Sequence, residues 1–170
     1  MNRYYSGIGS RQTPDEIKRI MSQVARRLNK NHGYVLRSGG ALGADTAFAS
    51  GAGMNKEIFL ASDSTPEASK IAQEFHPKWK TLSSNIRNLM TRNVFIVLGR
   101  DLLTPSKFVL CWTKCGSEKG EQTSASSGGT GHSIRIASHY GIPIFNLKKE
   151  ETFQKIKNWL ESCHNGPVSK

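Results

Sequence analysis

The spacing of apolar residues changes repeatedly along the chain, and each change marks an element. Tyr4 to Ile8 reads as a short apolar strand ending in "GIGSR". Ile17, Ile20, Met21, Val24 and Leu28 then recur at helical spacing, and Gly33 ends that run. The helix start is written in Thr13-Pro14-Asp15-Glu16, with Thr13 expected as N-cap, Pro14 in the first position and Glu16 closing a capping box. Tyr34 to Arg37 is a second strand, Ala44 to Ser50 a helix and Glu57 to Leu60 a third strand. Thr65-Pro66-Glu67 starts a helix reaching Phe75, and residues 76 to 84 connect it to another, Asn85 to Leu98, stopped by Gly99. Lys107 to Trp112 is the most apolar strand of the second half, and Cys115 to Gly129 reads as a polar loop. A helix from Thr130 to Tyr140, a strand from Ile142 to Asn146 and an amphipathic helix from Glu150 to Cys163 complete the pattern.

Strands that alternate with helices predict an α/β fold: a Rossmann-like open, mostly parallel sheet of at least five strands, with helices on both faces. One domain spanning residues 1–163 is expected, followed by a frayed tail, 164–170.

Composition narrows the class. No apolar run approaches the ~20 residues that span a bilayer, and the first twenty residues lack the order of a signal peptide. A cytoplasmic protein with no membrane contact is expected. Cys111, Cys115 and Cys163 are an odd, sparse set without zinc spacing, and His132 and His139 add no second pair of metal ligands. Neither a metal nor a cofactor is expected. The net charge of +11, spread along the chain, suits a polyanionic partner.

The chemistry gathers at three glycine-rich junctions that follow strands: Gly7/Gly9, Gly39/Gly40/Gly43 and Gly128/Gly129/Gly131. Glycine allows φ > 0 and removes the Cβ that would block a ligand. A helix start beyond it offers unpaired N–H groups to an anion. In a parallel sheet all three junctions fall on the carboxyl rim, where ligands bind. Ser10 and Arg11 flank the first, and Ser38 leads into the second. Asp45 accepts hydrogen bonds from a sugar or base, or complements the helix dipole. Thr130 and His132 follow the third junction, His132 as a phosphate donor, an acid/base group or an exposed residue at a helix start. Arg37 reads as a strand-end residue reaching solvent, and Trp112 as core or as a stacking surface for a base.

"GIGSR", "SGGALGADTAF" and "GGTGHSIRIA" followed by "GIPIFNL" resemble the SLOG superfamily of Rossmann-like nucleotide-binding proteins. That group includes the DprA/Smf DNA-processing proteins, the Lonely-guy (LOG) phosphoribohydrolases and sensor domains of bacterial immunity. The likeness runs from Tyr4 to Leu147 and is strongest to compact, single-domain phage DprA-like proteins. It implies phosphate contacts at Gly39, Gly40 and Gly43, and places Asp45 at the family's acidic position. It matches Arg92 loosely to a LOG arginine. It also puts Ile134 where the LOG glutamate stands, so N-glycosidic hydrolysis is disfavoured and no catalytic residue is assigned.

Two partners follow from the resemblance. One is a nucleotide-derived small molecule, ADP-ribose-like or cyclic, held in the glycine nests and sequestered as an immune signal, in the host cytoplasm for a phage protein. The alternative is single-stranded DNA, bound in the DprA manner. A homo-oligomer is expected in either case.

Overall fold

The structure, a computed structural model, describes residues 3–162. Among the described residues the fold is α/β: five parallel strands in the order β3-β2-β1-β4-β5, with six α-helices. In chain order these are β1 (Arg3–Gly9), α1 (Asp15–His32), β2 (Tyr34–Ser38), α2 (Ala44–Ala52), β3 (Lys56–Ile58), α3 (Pro66–Glu74), α4 (Ser84–Leu98), β4 (Val109–Trp112), α5 (Gly128–His139), β5 (Ile144–Asn146) and α6 (Glu150–Glu161). Short 3₁₀ turns at Trp79–Thr81, Gly120–Gln122 and Ala125–Ser127 punctuate the connections. The expected tail 164–170 lies outside the described residues.

Period-two alternation sends the strand side chains to opposite faces, and each face has its own core. Tyr5, Leu36, Leu110 and Trp112 pack with Met21, Val24 and Leu28 of α1 and Phe48 of α2, and α6 adds Trp159 and Leu160. Ile8, Val109 and Cys111 pack with Ala72 of α3, Val94 to Leu98 of α4 and Ile134 and Ile136 of α5. Each fully buried large side chain contributes ~1.5–3 kcal/mol, so both layers are well anchored. Trp112 is core, as one of its two readings required.

The chain runs outward from β1 through β2 to β3, then returns to place β4 on the other side of β1. The strand order therefore reverses between β1 and β4, and a crevice opens beyond their carboxyl ends.

Local details differ from the expectations. Thr13 does not cap α1: Pro14 holds that position without a side-chain bond, and Thr13 Oγ1 donates instead to the Ser10 carbonyl at 2.7 Å. That bond tightens the turn after β1. Arg37 does not reach solvent. Its guanidinium, 3% exposed, lies 3.6 Å over the Tyr4 ring, and its Nε donates to Glu57 at 2.9 Å. The third glycine run forms the first turn of α5, not a loop ahead of it, and the polar stretch before it contains two of the 3₁₀ turns. On the opposite face Gly51 carries α2 close to α1, where a Cβ would overlap the Ser22 carbonyl.

Candidate nucleotide-binding cavity

A cavity of about 570 Å³ occupies the crevice at the strand-order reversal. Its size is that of a small-ligand cleft. The end of β1 and its turn supply Gly9, Ser10, Arg11 and Gln12. Ala41 and Asp45 come from the start of α2, and the 3₁₀ turn and first turns of α5 bring Ser126 to Thr130, His132 and Arg135. The α4 face contributes Ile86, Leu89, Met90, Arg92 and Asn93. The three segments around the glycine junctions thus meet at one cavity, as the parallel order requires.

The helices that begin here have open ends. α1, α2 and α5 carry no side-chain cap, and neither does α6 farther along the same rim, whereas α3 and α4 are capped by Thr65 and Ser83. In α2 the N–H groups of Ala44 and Thr46 already donate to the Ser10 and Ala41 carbonyls, and α1 carries Asp15 and Glu16 in its first turn, so α5 is the helix start best suited to an anion.

Asp45 is the buckle of the second junction. Its Oδ2 accepts from the backbone N–H of Gly39 at 3.2 Å and of Ala41 at 3.3 Å. Burial pushes its carboxyl up to about 6, although those N–H groups, Gly9 N–H and the Arg92 charge all favour the ionised form. Across the turn, Arg92 Nη1 donates to the Gly39 carbonyl, and to Phe59 at 3.4 Å. A Cβ on Gly39 would lie 2.6 Å from the Arg92 Cζ. A larger residue there would displace the guanidinium from the Gly39 carbonyl. The Nε of Arg92 is buried and has no hydrogen-bond partner.

His132 does not play the exposed or phosphate-donating role expected of it. It is fully buried, with Nε2 2.9 Å from the Ala72 carbonyl and Nδ1 3.4 Å from the Asn93 amide nitrogen. A carbonyl only accepts, so Nε2 carries the proton and Nδ1 accepts from Asn93. Burial pushes its pKa down to about 4, so the ring is neutral. It pins α5 to α3 and α4 from beneath the cavity floor. Arg135, three residues on, reaches the same cavity while its Nε donates to the Phe75 carbonyl at 2.7 Å.

The remaining expected residues divide by position. Gly9, Ser10, Arg11, Asp45, Arg92, Gly128, Gly129 and Thr130 line the cavity. Gly7 does not: a Cβ there would strike Leu36 and Phe48, so its role is core packing. Ser38 is buried and donates to the Gly7 carbonyl at 2.6 Å. Gly131 packs on Ser127 within α5, and Gly40, at φ +70°, turns the chain beside Ile58. Gly43 borders a neighbouring groove.

Asn93, Arg135, His76 and the apolar wall of Ile86, Leu89 and Met90 were missed from the sequence. A polar Asn93 beside Arg92 at the head of the apolar run "VFIVL" was the available signal. Three arginines and one carboxylate face the cavity, leaving it cationic. No three His, Cys, Asp or Glu side chains converge among the described residues. No helix among them is long and apolar enough to cross a membrane.

No protein-family model and no curated protein matches the chain in sequence. Among solved structures the fold is similar to DNA processing protein A (DprA) from Helicobacter pylori, with a TM-score of 0.57 and 21% identity. The match covers 95% of this chain and 80% of that one. The work on that protein describes a unique single-stranded DNA binding mode. The architecture is thus DprA-like and Rossmann-like.

Proposed function

We propose that this chain binds single-stranded nucleic acid, taking one nucleotide of the strand into the cavity at the strand-order reversal. One juxtaposition carries the reading. Arg11, in no ion pair or side-chain hydrogen bond among the described residues, shares the cavity with the uncapped start of α5 and with the apolar wall of Ile86, Leu89 and Met90. Phosphate meets cation and N–H groups on one side, while an unstacked base meets apolar side chains on the other. A base locked in a duplex cannot enter such a cleft. The DprA-like fold and the net charge of +11 support the same reading.

The size of the cavity, about 570 Å³, favours one second reading, a free nucleotide such as an ADP-ribose-like or cyclic signal that the protein sequesters. Hydrolysis is not part of either reading. Ile134, at the position of the LOG glutamate, is fully buried in the core.

Fluorescence anisotropy with labelled dT12, at two salt concentrations, separates the readings. Several phosphates on the strand give a log–log salt slope near −0.7 each. Arg11→Ala is expected to lower dT12 affinity about tenfold, the weight of one charge-assisted contact. Absence of dT12 binding, with tight and salt-insensitive binding of ADP-ribose, would replace the strand with a free nucleotide.

A further inference from the structure

A second groove of about 630 Å³ lies between α1 and α2, on the other side of Arg11 from the cavity. Arg11 lines both. The reason is local. Gly43, at φ +97°, sits where a Cβ would lie 2.7 Å from the Arg11 Cα and from the Ser10 carbonyl. The turn after β1 therefore rests directly on the start of α2, and Arg11 forms the crest between two hollows.

The groove is built from small and polar side chains: Ser22 from α1 and Thr46, Ala47 and Ser50 from α2. Its charge comes from Arg11, Lys18 and Arg19 against Asp15 alone. Asp15 is already spent on Lys18 at 2.8 Å, and among the described residues neither Arg11 nor Arg19 enters an ion pair. At the lip stands Leu42, 74% exposed, an apolar surface next to cations. Paired phosphate-binding cations and an exposed apolar contact, continuous with a cationic cavity, match the repeating charge-and-base pattern of a nucleic-acid strand.

We propose that the α1–α2 groove is a second binding site for the same single strand, which passes from the cavity over Arg11 toward Arg19. This rests on the single-strand reading and deepens it. The cavity holds one nucleotide and the crest at Arg11 carries the next. Past the crest, Arg19 meets a further phosphate, and Leu42 supports the adjoining base. The footprint is consequently longer than the cavity alone can hold, and a short oligonucleotide that fills the cavity leaves the groove empty.

The test uses the full chain with two probes, labelled dT12 and the 5′-phosphorylated dinucleotide pdTpdT. Arg19→Glu and Ser50→Glu each place a negative charge in the groove. Arg26→Glu makes the same charge change as Arg19→Glu on α1, outside the groove. Arg19→Glu and Ser50→Glu are expected to weaken dT12 about tenfold and to flatten its salt slope by about 0.7, one phosphate's share. Dinucleotide affinity stays within twofold, and Arg26→Glu stays within twofold on both probes. If the groove variants affect dT12 no more than Arg26→Glu does, the strand leaves the cavity elsewhere and the groove proposal fails. If they weaken the dinucleotide as much as dT12, the effect acts through the cavity, and it fails equally. Failure of the wild type to bind dT12 at all removes the single-strand reading itself, before any variant is compared.

Discussion

The second and third glycine junctions are near repeats in sequence, "GGALGAD" and "GGTGHSI", yet the fold uses them in opposite ways. At the second, glycines make the turn: Gly40 and Gly43 hold φ of +70° and +97°, and the carboxylate of Asp45 gathers the loop from within. At the third, only Gly128 has positive φ, at +56°, and Gly129 and Gly131 are ordinary helical residues. A neutral histidine anchors that junction where an acid anchors the other. Glycine thus serves conformation in one place and clearance in the other, and spacing alone does not separate the two.

Opposite responses to substitution would break or confirm this contrast. Gly43→Val meets both a left-handed backbone and the Arg11 Cα, and is expected to cost about 4 kcal/mol in urea unfolding, summing strain and overpacking. Gly129→Ala meets only the Met90 methyl at 3.5 Å and gains helix propensity, so stability should rise by about 0.5–1 kcal/mol. Equal losses at the two positions would mean that both junctions need glycine for conformation.

The anchors should respond to pH with opposite signs. Asp45 titrates at about 6 in the fold and near 3.8 unfolded, so the folded state holds the extra proton between those values. Its contribution to stability falls as pH rises from 4 to 6, by about 3 kcal/mol at most. His132 titrates at about 4 in the fold and near 6.5 unfolded, so the unfolded state holds the extra proton. Its contribution is full above pH 6.5 and lost as pH falls toward 4, over a similar range. The two slopes nearly cancel. Relative to wild type, Asp45→Asn should lose stability on acidification from pH 6.5 to 4.5, and His132→Gln should gain it. Urea midpoints at the two pH values decide. Parallel curves for all three proteins would show that neither group is perturbed by its junction.

The smallest expected effect sharpens the contrast at the entry to α5. Desolvation raises the Cys115 thiol, but hydrogen bonds with Ser117, Ser127 and Thr113 outweigh it and hold the group down at about 6. Cys111 is fully buried and pushed far up. Iodoacetamide at pH 7, followed by peptide mass mapping, should modify Cys115 and spare Cys111. The Ser127 hydroxyl that meets Cys115 at 3.0 Å lies at the cavity edge, so modification should shift dT12 affinity by less than about threefold. Modification of Cys111 first would contradict the buried β4 described above.

Much of this architecture was legible because periodicity reports burial. The five strands, six helices and the shared rim followed from apolar spacing and from the glycine junctions. What escaped were features set by contacts distant in sequence. Thr13 looked like a cap because its local pattern was complete, but the Ser10 carbonyl competed for its hydroxyl. His132 looked like a phosphate donor, an acid/base group or an exposed residue because it follows a glycine at a helix start. Packing against α3 and α4 buries the ring and makes it neutral, with the Ala72 carbonyl, sixty residues away, accepting from Nε2. Arg37 similarly needed Tyr4, Glu57 and the Thr104 carbonyl before its charge could be buried. Ser38 and Gly7 carried the right residue types at the right rim, but pointed into the core.

Gly51 separates two properties of the α1–α2 surface that would otherwise change together. Because the helices meet there through backbone, their spacing is independent of the side chains at Ser22, Thr46, Ala47 and Ser50. The exposed Thr46 and Ser50 can change the lining of the groove without changing its aperture, whereas Ala47 also packs against the core. Position 51 has no such freedom, since any larger residue pries the helices apart. Substitutions at Thr46 and Ser50 would therefore reshape the lining of a slot whose width position 51 sets.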